Sequence, residues 1–157
     1  MYHECIFTAG LLHGPPKTIV CMPQITEKQI AELVDTFYGK VRADQLIGPI
    51  FAAAVGEDWD PHLVKMRAFW ATVMLASRTY KGNPMMAHLN LPRLTQEHFE
   101  RWLDLWRQTT SEVCGERAAS KFVEKAEMIA ERFLQTISLY HDASLASAYA
   151  HGASQAV

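Results

Sequence analysis

The strongest constraint on the fold is the helical spacing of apolar residues along the middle of the chain. In four segments the apolar side chains recur three and four positions apart, which is the period of one helix face. No stretch alternates apolar and polar residues over any length, as a half-buried strand would. We therefore predict an all-α fold of four substantial helices plus short pieces. The predicted inward-facing residues are Ile30, Leu33, Val34, Phe37, Tyr38 and Val41; then His62, Met66, Phe69, Trp70 and Val73; then Phe99, Trp102, Leu103, Trp106 and Val113; and finally Phe122, Val123, Ala126, Ile129, Ala130, Phe133, Leu134 and Ile137.

Capping residues predict where these helices begin. Thr26 followed by Gln29 fits a capping box, which places the start of the first helix there. Asp60 is the expected cap of the second long helix, with Pro61 at its first helical position. Thr95 is the expected cap of the third.

Glycine and proline predict where the helices are interrupted. The first helix should end near Asp44, and residues 48–51 (Gly-Pro-Ile-Phe) should form a turn. Gly115 is expected to terminate the third long helix in the left-handed conformation. We expect one domain over residues 25–140, with a loosely ordered extension at 1–24. Residues 141–157 are Ala- and Ser-biased, and they form either a frayed tail or a prolongation of the last helix.

Composition and charge exclude several classes of protein. The net charge of −2 provides no basic field for nucleic acid and no polybasic membrane patch. The longest apolar runs are too short to cross a bilayer. The N-terminus lacks a cationic start and a small-residue cleavage site, and three cysteines argue against a disulfide framework. We expect a cytoplasmic protein that is a monomer or a weak dimer.

Three polar side chains need an explanation: Tyr38, His62 and His88. The first two lie on apolar helix faces, where burying a polar group without a partner costs about 1–3 kcal/mol. Each could simply bond a backbone carbonyl or a helix end. His88 differs because it lies on a short segment between the Gly82-Asn83-Pro84 loop and Pro92, too short to be a stable helix alone. This placement suits a residue that ligates a metal or haem.

Zinc is the poorer candidate for such a ligand. A zinc site needs three or four protein ligands, whereas the Asp and Glu residues are expected on outer helix faces and Cys114 lies at the far end of its helix. Haem iron needs one strong protein ligand and a flat apolar slot. The residues available to line that slot are Phe51, Met66, Phe69, Trp70, Met74, Phe99, Trp102 and Leu103.

An ordered set of motifs over residues 25–140 resembles the group III truncated haemoglobins. Those motifs are F-Y-G-K-V-R-A-D (37–44), I-G-P-I-F (47–51), W-D-P-H-L (59–63), F-W (69–70), Y-K-G-N-P-M-M-A-H-L-N-L-P (80–92) and H-F-E-R-W-L-D-L-W (98–106). The resemblance implies a two-over-two helical sandwich around haem b (iron protoporphyrin IX). The double-glycine hinges of the other two groups are absent. The chain departs from the pattern of this family in its two flanking segments and at Trp106, which replaces a more usual phenylalanine.

The resemblance also implies roles for individual residues. His88 matches the proximal iron ligand, and Phe51 matches the phenylalanine that stacks on the porphyrin. Tyr38, His62 and Trp102 match the distal polar positions, with His62 either contacting the ligand or swinging outward as a gate. The hydrogen-bond partner of the proximal histidine stays open, with Asn90 and Glu97 near it in sequence.

Three functions then compete. The first is a haem protein that binds dioxygen or another diatomic ligand, with nitric oxide dioxygenation or peroxide chemistry as further activities. These would require a separate electron-donor reductase, because the chain contains no G-x-G-x-x-G fingerprint. The second is a non-enzymatic module for oxygen sensing or buffering. The third is a haem-free helical interaction bundle with structural histidines.

Overall fold

The computed structural model describes residues 25–92 and 94–153, with side chains described to residue 143. These residues form six helices and no strand, as the apolar period predicts. The helices are α1 (Glu27–Ala43), α2 (Gly48–Val55), α3 (Asp60–Leu75), α4 (Pro84–Leu89), α5 (Gln96–Val113) and α6 (Glu116–Ala153). The predicted extension 1–24 lies outside the described residues.

The long helices pack in two pairs. α1 packs on α3, α5 packs on α6, and the contact between α1 and α5 joins the pairs. The four largest side chains in the fully buried core come from all four long helices: Phe37, Trp70, Trp106 and Phe122. The short helix α4 packs against α6, and α2 packs against α1. The two short helices therefore flank a core that the long helices build.

Two predicted helix starts are confirmed and one is displaced. The Thr26 hydroxyl accepts the Gln29 amide at 3.2 Å, and Thr95 caps α5, where its own N–H donates to His98 Nδ1 at 3.0 Å. The start of α3 lies one residue earlier than predicted. Asp60 is already helical and Trp59 is the cap, while the Asp58 carboxylate accepts the Asp60 amide at 3.2 Å.

Two predicted breaks are wrong. Residues 48–51 begin the eight-residue helix α2, because Pro49 is compatible with a first helical turn. Gly48 permits that helix to meet the end of α1, since a Cβ atom there would lie 3.0 Å from the Val41 carbonyl oxygen. Gly115 does not adopt the left-handed conformation; α5 ends at Val113, and its C-cap Cys114 has an extended backbone (φ −110°).

The last helix continues well past the apolar stripe. α6 reaches Ala153, so the alanine-rich segment 141–153 prolongs the helix and does not fray from it. Within the described residues, none of the helices combines the length and apolar character needed to cross a membrane.

Candidate functional site

His88 is held by its own helix. Asn83 caps α4 by accepting the Met86 amide at 3.1 Å, and Pro84 occupies the first helical position. One turn later, His88 Nδ1 lies 2.7 Å from the Pro84 carbonyl oxygen. A carbonyl oxygen can only accept, so Nδ1 carries the proton and Nε2 keeps its lone pair free. The partner is thus the Pro84 main chain rather than Asn90 or Glu97.

The surroundings of His88 keep it neutral. The ring is half-buried and contacts the Phe133 ring of α6 at 4.6 Å between centroids. Burial lowers the pKa of the imidazole, and the bond to the Pro84 carbonyl opposes that shift only in part. A neutral imidazole with a free Nε2 is the form that ligates iron.

Tyr38 and His62 form the second part of the site. Their rings meet edge to face at 4.9 Å between centroids, one from α1 and the other from α3. Phe51 of α2 completes the cluster at 5.8 Å from Tyr38 and 6.3 Å from His62. The structure therefore brings together three predicted site residues from three different helices.

His62 carries an unsatisfied polar atom. Its Nε2 is buried and has no hydrogen-bond partner among the described residues. Burial lowers the pKa of His62, and the charges of Lys65 and His88 lower it further.

Tyr38 is a neutral donor without an internal acceptor. Its side chain is 5% exposed, and burial raises its pKa far above the ordinary value. The described residues form no hydrogen bond with its hydroxyl. The Tyr38 hydroxyl and His62 Nε2 therefore both form no hydrogen bond with the described residues, and of the two only His62 Nε2 is a buried unpartnered atom.

The predicted apolar lining divides into three groups. Half-buried side chains that retain an accessible face are Phe51, Met66, Phe69, Phe99, Trp102 and Leu103. Trp70 is 2% exposed and stacks on Trp106, so it lies in the core behind that lining. Met74 lines a separate surface cavity of about 310 Å³ with Ile25 and Val73.

Two residues beside the site are not predicted by residue spacing. Trp59 is 8% exposed and lies 5.9 Å from His62 and 6.2 Å from Tyr38 between ring centroids. Trp59 precedes α3, so it lies outside the helical apolar period that predicts Tyr38 and His62 to face inward. Phe133 was assigned only to the core stripe of the last helix, and nothing in its spacing identifies His88 as its neighbour.

The expectation that every carboxylate faces outward is wrong for Asp44. Its side chain is 5% exposed and lies where α1 turns into α2. One oxygen accepts the amides of Leu46 and Ile47 at 3.0 Å, and the other accepts Arg101 Nε at 2.7 Å. Burial alone would raise the pKa of this carboxyl, but these bonds and the Arg101 charge together hold it below the usual value.

Comparisons with known proteins identify the family. A family model described as bacterial-like globin matches residues 25–137. The chain is 39% identical over 119 residues to the group 3 truncated hemoglobin ctb of Campylobacter jejuni, covering 74% of this chain and 94% of the relative. This chain belongs to the bacterial-like globins, and among them to the group III truncated haemoglobins.

Solved structures agree with this truncated-haemoglobin fold. The crystal structure of the group III truncated hemoglobin from C. jejuni matches with a TM-score of 0.71 at 37% identity, covering 73% of this chain and 93% of that one. A thermostable hemoglobin from Thermobifida fusca matches in fold with a TM-score of 0.60 at 24% identity, over 69% and 89%. The group II truncated hemoglobin of Bacillus anthracis (a Trp90Leu mutant) matches with a TM-score of 0.51 at 26% identity, over 71% and 81%.

Family membership implies haem binding, and the residues of this globin fit that group. His88 has an unprotonated Nε2 available for iron, because its Nδ1 is already bonded to the Pro84 carbonyl. The buried Nε2 of His62 has no hydrogen-bond partner, and a bound ligand could provide one. No group of three or more His, Cys, Asp or Glu side chains that could hold a metal ion occurs among the described residues. Haem iron needs only one strong protein ligand, and the free Nε2 of His88 is chemically suited to that role.

Proposed function

We propose that this truncated haemoglobin binds haem b through His88 and uses it to bind dioxygen or another diatomic gas. When bound, haem would supply the iron atom to which the gas binds. The bond from His88 Nδ1 to the Pro84 carbonyl carries this proposal, because it fixes the ring and directs Nε2 away from the helix.

The polar residues around Tyr38 would hold the gas in place. Tyr38 can donate from its hydroxyl, and Trp102 can only donate from its indole N–H. A bond to a partly negative ligand atom is worth about 1.5–3 kcal/mol, so one donor slows ligand release roughly tenfold to a hundredfold. The buried Nε2 of His62 supports its role as a further contact rather than an outward gate.

The proximal hydrogen bond favours ligand binding over peroxidase chemistry. A carboxylate partner would make the histidine a stronger electron donor, whereas His88 bonds a neutral carbonyl. Nitric oxide dioxygenation and peroxide reduction stay secondary proposals that require a separate reductase. Oxygen sensing or buffering is the alternative in which the bound gas is not consumed.

Haem reconstitution tests the proposal. We expect the purified protein to bind one equivalent of haem, with a Soret band and with haem extractable by acid, as for a non-covalent haem b. His88→Gly should lose stable haem and regain it when free imidazole is added. The control is His141→Gly. His141 is a half-buried residue of α6, and this variant should bind haem like the parent protein. An unchanged Soret spectrum in His88→Gly would refute the ligand assignment.

A further inference from the structure

Three tryptophan side chains stack in parallel through the centre of the molecule. Trp102 and Trp106 lie 5.7 Å apart between ring centroids with an interplanar angle of 5°. Trp106 and Trp70 lie 4.3 Å apart at 16°. The stack runs from a half-buried indole, Trp102, to two that are 0% and 2% exposed.

The backbone imposes this arrangement. Trp102 and Trp106 are four residues apart on α5 and therefore share one helix face. Trp70 reaches Trp106 from α3 and stacks on it. Phe37 contacts the edges of both α5 indoles, at 5.6 and 4.8 Å, and thereby confines them.

The path continues from the stack toward the surface. Trp70 contacts Phe69 at 5.6 Å, and Phe69 contacts Tyr80 at 5.3 Å, both edge to face. Tyr80 is half-buried in the segment between α3 and α4. Its hydroxyl lies over Gly82, where a Cβ atom would overlap it. A readily oxidised phenol is thus the last ring of the series.

We propose that Trp102, Trp106 and Trp70 form a path for single electrons between the haem site and Tyr80. The proposal rests on the proposed haem site, because Trp102 is its inner end. Indole and phenol are the side-chain groups most easily oxidised by one electron, and electron transfer between rings is fastest where the rings are in contact. The path removes an oxidising equivalent from the site when the protein meets a peroxide.

The electrons and protons of that event balance. Hydrogen peroxide takes two electrons and two protons and leaves as two waters. A bound haem group would supply one electron, and Trp102 would supply the other and would be refilled in turn from Trp106, Trp70 and Tyr80. Tyr80 loses its electron together with its phenolic proton, which enters solvent; solvent supplies both protons that the peroxide consumes.

The hydrogen bond of Trp106 explains why oxidation would not stay on the stack. Its Nε1 donates to the Phe122 carbonyl oxygen at 3.2 Å. A carbonyl is an acceptor but too weak a base to remove the proton, so the oxidised indole is not trapped as a neutral radical. The electron vacancy instead moves to Tyr80, which lies near solvent and can lose its proton.

Peptide mapping of trapped radicals tests the path. Haem-loaded protein is mixed with hydrogen peroxide and a nitroso spin trap, followed by electron paramagnetic resonance and mass spectrometry. We expect adducts on Tyr80, whereas Tyr140, which is 52% exposed and lies off the path, should stay unlabelled. Trp106→Phe should lose the Tyr80 adduct, and in Tyr80→Phe the total adduct signal should fall, because Trp70 and Trp106 are too deeply buried for the trap to reach.

The outcomes separate this proposal from haem binding itself. Each variant is first checked for its Soret band and helical circular dichroism. If Trp106→Phe does not fold, the Tyr80→Phe variant and the comparison of Tyr80 with Tyr140 still decide the question. The path would be overturned if the tyrosines of the haem-loaded protein were labelled in proportion to their solvent exposure. It would also be overturned if Tyr80 were labelled as strongly in Trp106→Phe as in the parent protein. A protein that never binds haem would instead refute the proposed function.

Discussion

The Nδ1 atom of His88 and the carbonyl oxygen of Pro84 lie 2.7 Å apart, across one turn of the same six-residue helix. The residue that begins α4 therefore also orients the imidazole near its end. A helix this short is marginal by itself, so its cap and its packing on α6 must hold the histidine in place.

The cap of α4 provides the first prediction. Asn83→Ala removes the acceptor of the Met86 amide, which should cost about 1 kcal/mol of local stability. We expect faster haem loss, measured as transfer to an excess of a haem-scavenging globin. Asn90→Ala, at an exposed residue after the same helix, is the matched control. If the two variants lost haem at equal rates, the Asn83 cap would not contribute to haem retention.

Tyr38→Phe should change ligand release far more than stability. Removing a hydroxyl that bonds no described residue should change the unfolding free energy of the haem-free protein by less than about 1 kcal/mol. Oxygen release from the haem-loaded variant should accelerate roughly tenfold to a hundredfold. Urea unfolding and stopped-flow release measure the two effects. Destabilisation with unchanged release would mean that Tyr38 is a core residue only.

The two buried imidazoles predict how stability depends on pH. Burial lowers the pKa of both His62 and His88 from 6.5, so the unfolded chain binds more protons than the folded one just below that value. The unfolding free energy of the haem-free protein should therefore be highest above about pH 6.5 and fall as the pH drops through the folded-state pKa values.

A double variant isolates this contribution. In His62→Gln/His88→Gln neither position titrates, so the decline between neutral and mildly acidic pH should be shallower than in the parent protein. Urea unfolding at several pH values measures it. Parallel pH profiles for the two proteins would assign the decline to other groups.

Asp44 should matter for stability more than its place at a helix end suggests. Asp44→Ala leaves the Leu46 and Ile47 amides and Arg101 without their acceptor, which should cost about 2 kcal/mol. Asp104→Asn is the control, because its pair with Arg107 is at the surface with 63% of the Asp104 side chain exposed, and it should change stability little. Chemical denaturation compares them; similar losses would contradict the role assigned to the burial of Asp44.

Some parts of the site could be predicted from residue spacing alone. The helical period identified Tyr38 as inward-facing, and its side chain is 5% exposed. The glycine and proline around residue 88 predicted a short segment that places one histidine, and α4 is such a segment. These predictions succeeded because helix period, capping and proline stereochemistry act over a few neighbouring residues.

Other predictions failed because local rules did not decide the outcome. The Gly48-Pro49 pair is typical of turns, but the same pair also permits a helix start, and packing on α1 favours α2. Asp44 is polar and close to a helix end, yet Arg101, distant in the chain, completes its burial.

The amino-acid sequence by itself determined the all-α class, the inward faces of the long helices and the residue types available for haem. Only the tertiary structure decided which side chains meet: Tyr38 with His62, His88 with Phe133, and Trp70 with Trp106. The physical reason is that periodicity specifies the direction of a side chain from its own helix. Its neighbour is specified by how separate helices pack, which depends on the shapes of all buried side chains together.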